Sequence, residues 1–283
     1  MDGTVARKTW RTLEPIHGLI YFAPEASEAY VGIGLPPAMG GYFASRAAAM
    51  GPVPAEVVIA TFFNFFPPFV RETIPDAWSV ASPSAILDAR HEAAERALRA
   101  RLGDLASGPA LEEAAVLARR AAESSTQWPE GRPLFAAHAS LRWPDDPLMV
   151  LWHAQTLLRE FRGDGHIAAM TVEGVDGVEA LILHGATGEV PPATLRSSRQ
   201  WPKDEWAAGE ERLRARGWLD ADGALTEAGR THRQWVEDRT DALAAPAYDV
   251  LGEDGCERLR TLCRPMSKAI VEGGFGFPAP SSS

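Results

Sequence analysis

Internal repetition constrains this chain more than any other feature. Gly51 to Val58 reads GPVPAEVV, and Gly188 to Leu195 reads GEVPPATL. Upstream, AYVGIG (Ala29 to Gly34) parallels AMTVEG (Ala169 to Gly174), and EPIH (Glu14 to His17) stands where VLWH (Val150 to His153) stands. Downstream, Trp78 takes the place of Trp218, and Leu102-Gly103 that of Leu251-Gly252. One such match arises by chance; an ordered series does not. Each copy then reads as one supersecondary unit, and the pair buries a shared core. A length of 283 residues suits two units. The boundaries fall at 12–125 and 148–275, with a linker over 126–147 and a Pro/Ser-rich tail over 276–283 expected to be disordered.

Each half carries a helix–helix–turn–helix pattern. Gly51 and Gly188 close one helix as C-caps, and Pro54 or Pro191 opens the next, where a missing N–H costs little. A further helix is predicted over 202–216, with Trp206, Ala207, Leu213 and then Leu219 on one buried stripe. Trp218 to Leu225 reads as a hairpin turning at Asp222-Gly223, and Thr226 as the N-cap of a long helix. Arg162-Gly163-Asp164-Gly165 is expected to interrupt an otherwise continuous helix, each glycine disfavouring it by about 1 kcal/mol. Asp164 would then cap the helix that follows.

These residues carry a family resemblance. Arg212 to Arg230, RLRARGWLDADGALTEAGR, resembles the recognition-helix end, wing and following helix of MarR-type winged-helix regulators. Thr240 to Ile270 is similar to their C-terminal dimerisation helices. The resemblance covers about 150–275 directly and 12–125 through the repeat, and it looks like an actinobacterial tandem winged-helix family. It implies a mainly α fold of two tandem winged-helix repeats with small β-hairpin wings, forming an intramolecular pseudo-dimer. The molecule would be a monomer or a homodimer. It also implies a small aromatic or amphipathic ligand held between the dimerisation helices and the winged lobe.

The DNA-reading surfaces do not follow that pattern. Neutralising phosphates supplies most DNA affinity, and this chain carries a net charge of −10. The second-half recognition helix opens Trp201-Pro202-Lys203-Asp204-Glu205-Trp206, and its wing tip holds Asp220 and Asp222 where the resemblance implies an arginine. The first-half counterpart, Phe62 to Glu72, is an apolar run. DNA binding is therefore expected to be weak or absent. Arg196, Arg199, Arg212, Arg214 and Arg216 remain, either as phosphate contacts or as a solvated face paired with Glu210 and Glu211. They keep a ligand-responsive transcriptional regulator as the alternative.

Two stretches are candidate sites. Phe62, Phe63, Asn64 and Phe66, with Trp78 beyond, form either an apolar ligand pocket with an amide anchor or a bulky core. Arg162, Asp164 and His166 form an acid–base site, a polar ligand anchor or a structural turn. As a catalytic group, His166 would carry the proton, Asp164 orient it and Arg162 bind an anion. Their side chains are expected to face a cavity walled by first-half phenylalanines. His17 and His153, at equivalent repeat positions, are further ligand-binding candidates or interface residues. Neither the histidines nor Cys256 and Cys263 show metal-ligand spacing, and no cofactor fingerprint is present, so no metal and no cofactor are expected. No signal core or membrane-length apolar run occurs, which reads as a soluble cytoplasmic protein. The functional expectation is a small-molecule-binding protein that has given up DNA, with enzymatic activity left open.

Overall fold

Proline and glycine punctuate the chain, and helices fill the intervals between them. The computed structural model describes residues 1–37 and 39–274, so the tail assigned to 276–283 lies outside the described residues. The first half runs α1 (Gly3–Gly18), α2 (Pro24–Gly32), α3 (Met39–Ala47), α4 (Ala55–Phe62), α5 (Pro67–Arg71), α6 (Ala77–Val80), α7 (Pro83–Leu102) and α8 (Pro109–Ser125). A short helix, α9 (Pro133–Ala139), lies in the connecting segment. The second half runs α10 (Pro147–Val172), α11 (Gly177–Gly185), α12 (Pro192–Ser198), α13 (Lys203–Ala215), α14 (Glu227–Ala244) and α15 (Gly252–Glu272). Seven of these helices begin on proline, whose fixed φ and absent N–H suit the first turn.

Several repeat landmarks share backbone geometry as well as sequence. Gly51 and Gly188 both sit at φ 81°, and twelve residues later Phe63 (φ 60°) and Gln200 (φ 56°) are the two non-glycine residues with positive φ among those described. The AYVGIG and AMTVEG segments end in the same paired capping bonds. Leu35 N–H donates to Tyr30 O (3.0 Å) and Gly34 N–H to Val31 O (2.9 Å); Val175 N–H donates to Met170 O (3.0 Å) and Gly174 N–H to Thr171 O (3.1 Å). Pro54 and Pro191 stand one position further out than expected, as N-caps.

Four expectations need correction. Leu102-Gly103 is no counterpart of Leu251-Gly252, since the first pair closes α7 and the second opens α15; the positive-φ glycine that precedes α8 is Gly108. Arg162 to Gly165 does not break its helix, because α10 runs unbroken for 26 residues, and Asp164 caps no helix after it. It is the first half that breaks, with α1 ending at Gly18, a 3-10 turn over Leu19–Tyr21, and α2 starting at Pro24. A proline clashes with the carbonyl four residues back, whereas a glycine only loses entropy. Packing of α10 against α1, α8, α9 and α14 outweighs that loss. Fourth, the wings are vestigial. The Trp218–Leu225 segment forms one antiparallel bridge, Leu219 to Leu225, and no other bridge occurs among the described residues. Asp220 Oδ1 accepts from Asp222 N–H and Ala224 N–H (2.9 Å each), so a side chain holds this turn where a strand ladder would. In the first half the short helix α6 occupies the corresponding place.

The apolar interior forms two clusters. The larger joins α1, α3, α7, α8, α10 and α15 through residues such as Leu13, Phe43, Leu98, Leu111, Leu151 and Leu259. The smaller lies within the second half around Val178, Ile182, Trp206, Leu213 and Val236. Much of the Phe-rich run belongs to the larger one. Phe43 meets Phe65 edge-on at 4.9 Å and Phe69 at 5.3 Å, favourable aromatic geometry. Gly177, first in α11, abuts the Phe63 carbonyl so closely that any side chain would collide with it. That contact locks the second-half lobe against the α4 end of the first half.

Candidate functional site

A cleft of about 1020 Å³ opens between the two halves. Trp10 from α1, Tyr42 and Arg46 from α3, and Phe62, Phe63 and Asn64 at the end of α4 line one side. Arg159, Glu160, Arg162, Asp164 and His166 from α10, with residues of α11 and α14, line the other. Six of the sequence candidates therefore share one cavity: Phe62, Phe63, Asn64, Arg162, Asp164 and His166.

The remaining candidates lie elsewhere. Phe66 packs on the Trp201 ring at 5.2 Å. Trp78 donates its indole N–H to Val53 O at 2.8 Å. His153 meets Trp143 edge-on at 4.7 Å, whereas His17 is buried against Thr156 and Tyr21, so the two histidines serve different neighbourhoods.

Arg162, Asp164 and His166 do not assemble into an acid–base unit. In a continuous helix, residues four apart share a face, and the residue midway between them points the opposite way. Arg162 and His166 accordingly turn to α14, where Arg162 pairs with Asp241 at 2.8 Å and Glu237 at 3.3 Å. Thr240 Oγ1 donates to Val236 O (2.7 Å), so it accepts from His166 Nδ1–H at 2.8 Å. Burial pushes His166 down to about 4, leaving it neutral at pH 7. Asp164 faces α9 instead. Its Oδ2 accepts from Phe135 N–H at 2.9 Å, and burial pushes its carboxyl up to about 7. It does not orient His166.

A second group of polar residues, invisible in the sequence, surrounds the inner end of the cleft. Arg46 donates to Glu160 (3.2 Å) and to the Tyr42 hydroxyl (2.8 Å), and Arg159 donates to Glu160 at 2.9 Å. Burial alone would raise the Glu160 pKa, but Arg159 and Arg46 outweigh it and hold this carboxyl below the usual carboxylate range. The guanidiniums of Arg46, Arg90 and Arg159 each lie 5.5 Å from the Tyr21 ring. Thr156 Oγ1 donates to Trp152 O, so His17 Nδ1–H donates to Thr156 (2.9 Å), and the Tyr21 hydroxyl donates to His17 Nε2 at 2.6 Å. Burial, reinforced by Arg159 and Arg90, pushes His17 well below its ordinary value, so the ring is a neutral acceptor. Tyr42 with Arg46 and His17 with Tyr21 stand at helical spacing, and Arg159 adjoins Glu160, but the bonds that gather them, Arg46 to Glu160 and His17 to Thr156, join residues far apart in sequence.

The arginines around α12 and α13 decide whether donors are free for nucleic acid. The exposed start of α13 presents Lys203 beside Asp204 and Glu205. Arg212 is tied to Asp176 (2.6 Å) and Glu179 (2.9 Å), Arg214 to Glu211 (2.6 Å), and Arg216 to Gly174 O (2.6 Å). Arg196 donates to Trp201 O at 3.2 Å, and Arg199 stacks over the Phe65 ring at 5.0 Å. The segment leading into α13 also docks on the first half: Trp201 donates its indole N–H to Asn64 O (2.9 Å), and Phe66 N–H donates to Arg199 O (3.1 Å).

No helix among the described residues is long and apolar enough to cross a membrane. No curated protein and no solved structure matches the chain. A family model described as a helix-turn-helix family matches residues 6–276. That match takes in both halves and the connecting segment, and by it the chain belongs to this helix-turn-helix family.

Proposed function

We propose that the protein is a MarR-like tandem winged-helix pseudo-dimer within one chain that binds a small amphipathic molecule between its halves and does not read DNA. The observation that carries this reading is the interhalf cleft of about 1020 Å³, with aromatic walls and a few convergent charged groups. That combination is typical of small-molecule sites. The matched turns at Gly51 and Gly188, and at Phe63 and Gln200, support the tandem arrangement. The inward pairing of the α13 arginines and the docking of Trp201 on Asn64 support the loss of DNA reading, since a recognition helix needs a free N-terminal end and unpaired donors. Arg162, Asp164 and His166 act as walls and struts of the cleft, which favours binding over catalysis.

Two measurements test this. The fluorescent probe 1-anilinonaphthalene-8-sulfonate should bind saturably at one site, and Ala180→Trp, which fills the cleft, should abolish that binding. In a mobility-shift assay at about 150 mM salt, random and genomic DNA should bind equally weakly. Sequence-selective binding in the nanomolar range of specific regulators would establish the transcriptional reading instead.

A further inference from the structure

The helix that follows each Gly-x-Val-Pro turn ends at an equivalent place, at Phe63 in the first half and Gln200 in the second, but the two ends are built differently. Gln200 (φ 56°) closes a relaxed cap. Its N–H donates to Ser197 O (3.2 Å), and the Trp201 N–H reaches back to Arg196 O (3.1 Å), which satisfies two terminal carbonyls. Phe63 instead sits at φ 60° and ψ −53°, and the Asn64 N–H turns to Phe62 O at 2.6 Å. This is the tight three-residue turn that strains an L side chain and that glycine alone reaches without steric cost. Ile59 O stands where Arg196 O stands, and here it accepts from Phe63 N–H (2.9 Å).

Strain of this kind persists only where the surroundings enforce it, and around Phe63 the enforcing contacts come from the other half. Gly177 of α11 abuts the Phe63 carbonyl. Asn64 O accepts the Trp201 indole N–H (2.9 Å), and the Phe66 N–H donates to Arg199 O (3.1 Å). The Phe66 ring packs on Trp201 at 5.2 Å. Asn64 and Trp201 are themselves equivalent, each thirteen residues past its glycine, so the two turns clasp one another. Phe63, Asn64 and Arg199 also line the cleft.

We infer that this turn-to-turn clasp is a two-state latch between the halves, loaded by the strain at Phe63. Closed, it holds Phe63 in the tight turn. Open, the Asn64 N–H passes from Phe62 O to Ile59 O, the pattern the second half already has, and the segment around Trp201 parts from the end of α4. Relaxation at Phe63 offsets part of the contacts given up, so the latch opens locally, without unfolding of the core. Because its residues line the cleft, the latch sets how fast a molecule enters; this last step rests on the cleft reading above.

Hydrogen exchange by NMR on the full chain tests the latch. Corrected for intrinsic rates, the Phe66 amide and the Trp201 indole N–H, both bonded across the halves, should exchange together. Both should exchange at least roughly tenfold faster than the Leu157 amide inside α10. Trp201→Phe, which lacks the indole donor, should speed the Phe66 amide by about fivefold and leave Leu157 unchanged. Phe63→Ala and Phe63→Gly lose the same ring, but only glycine relieves the turn. The Phe66 amide should therefore exchange roughly tenfold more slowly in the glycine variant than in the alanine one. In stopped-flow mixing, the association rate of 1-anilinonaphthalene-8-sulfonate should rise with the opening measured by exchange across these variants. Phe66 exchange no faster than that of Leu157 in the native chain, or equal Phe66 rates in the alanine and glycine variants, overturns the latch. An association rate that ignores the opening overturns the control of entry and leaves the cleft reading standing. Absence of probe binding overturns the cleft reading, and exchange alone then decides the latch.

Discussion

In the first half the polypeptide leaves α1 at Gly18, passes through a 3-10 turn and restarts at Pro24; the matching stretch of the second half runs straight on inside α10. Counted back from the equivalent Gly34 and Gly174 caps, Ala23 and Pro24 stand where Gly163 and Asp164 stand. The two stretches share a register and differ in what their residues forbid. The consequence is a division of labour. The bend in the first half swings Tyr21 among three guanidiniums, while the straight helix of the second presents Arg159, Glu160, Arg162, Asp164 and His166 along the cleft. The two stretches thus contribute different side chains around one cleft.

The sharpest way to break this picture is to remove the ion pair that ties the straight helix to α3 of the first half. Glu160, on the straight helix, has Ile20 as its counterpart in the bent one, and it is the carboxylate that Arg46 of the first half reaches. Glu160→Ala leaves Arg46 without its carboxylate partner in the interior and should cost about 3–5 kcal/mol, as breaking buried pairs does. The melting temperature should fall by roughly 10 °C. Converting the pair together, Arg46→Met with Glu160→Leu, should recover most of the loss. If the single variant lost under about 1 kcal/mol, the pair would be solvated and the halves joined by apolar packing alone.

A smaller effect separates the two faces of α10 by pH. Asp164 has its pKa raised to about 7, so the folded state holds a proton that the unfolded chain releases near 4. Its contribution is complete below pH 4 and is lost as pH rises through 7. His166 is lowered to about 4 by burial, so the folded state stays neutral while the unfolded ring takes a proton near 6.5. Its contribution is complete above 6.5 and is lost as pH falls through 4. Urea midpoints at pH 5 and pH 8 should show Asp164→Asn gaining on the native chain at pH 8 by on the order of 1 kcal/mol or more. His166→Gln should gain on it at pH 5. Parallel pH profiles for native and Asp164→Asn would mean that water reaches Asp164 and that its bond to Phe135 carries little weight.

Much of the frame was legible in the sequence and the details of the site were not, for physical reasons. The Gly-x-Val-Pro turns, the Thr226 cap and the α13 boundaries are local, because a proline or a capping oxygen acts within a few residues. The acids at Asp204, Glu205, Asp220 and Asp222 were likewise readable as positions. The Asp222-Gly223 dipeptide specifies a turn and says nothing of whether strands flank it, and among the described residues a single bridge does. The continuity of α10 was missed because its packing partners come from distant parts of the chain. The same non-locality hides how Arg46, Arg90, Arg159 and Tyr21 come together, and on a continuous helix the spacing of Arg162, Asp164 and His166 turns Asp164 away from the other two.

The smallest predicted effect asks why glycine stands in α10 at all. Both glycines have helical backbone angles, so neither is there for positive φ. A methyl group on Gly163 would meet only Glu160 Oε2, at 3.6 Å, an ordinary contact; one on Gly165 would come within 3.2 Å of Leu243 Cβ. Gly163→Ala should therefore stabilise the chain by about 0.5–1 kcal/mol, the usual gain from replacing a helical glycine. Gly165→Ala should gain less, or lose, because α14 must shift to admit it. Gly163 also lines the cleft, where the added methyl takes up ligand space. Higher stability with weaker binding of 1-anilinonaphthalene-8-sulfonate would show that the glycine keeps room in the cavity. If Gly163→Ala instead lowered the urea midpoint, the helix would need glycine there for a reason that α10 packing does not reveal, and the contrast drawn between proline and glycine in the two halves would lose its simplest support.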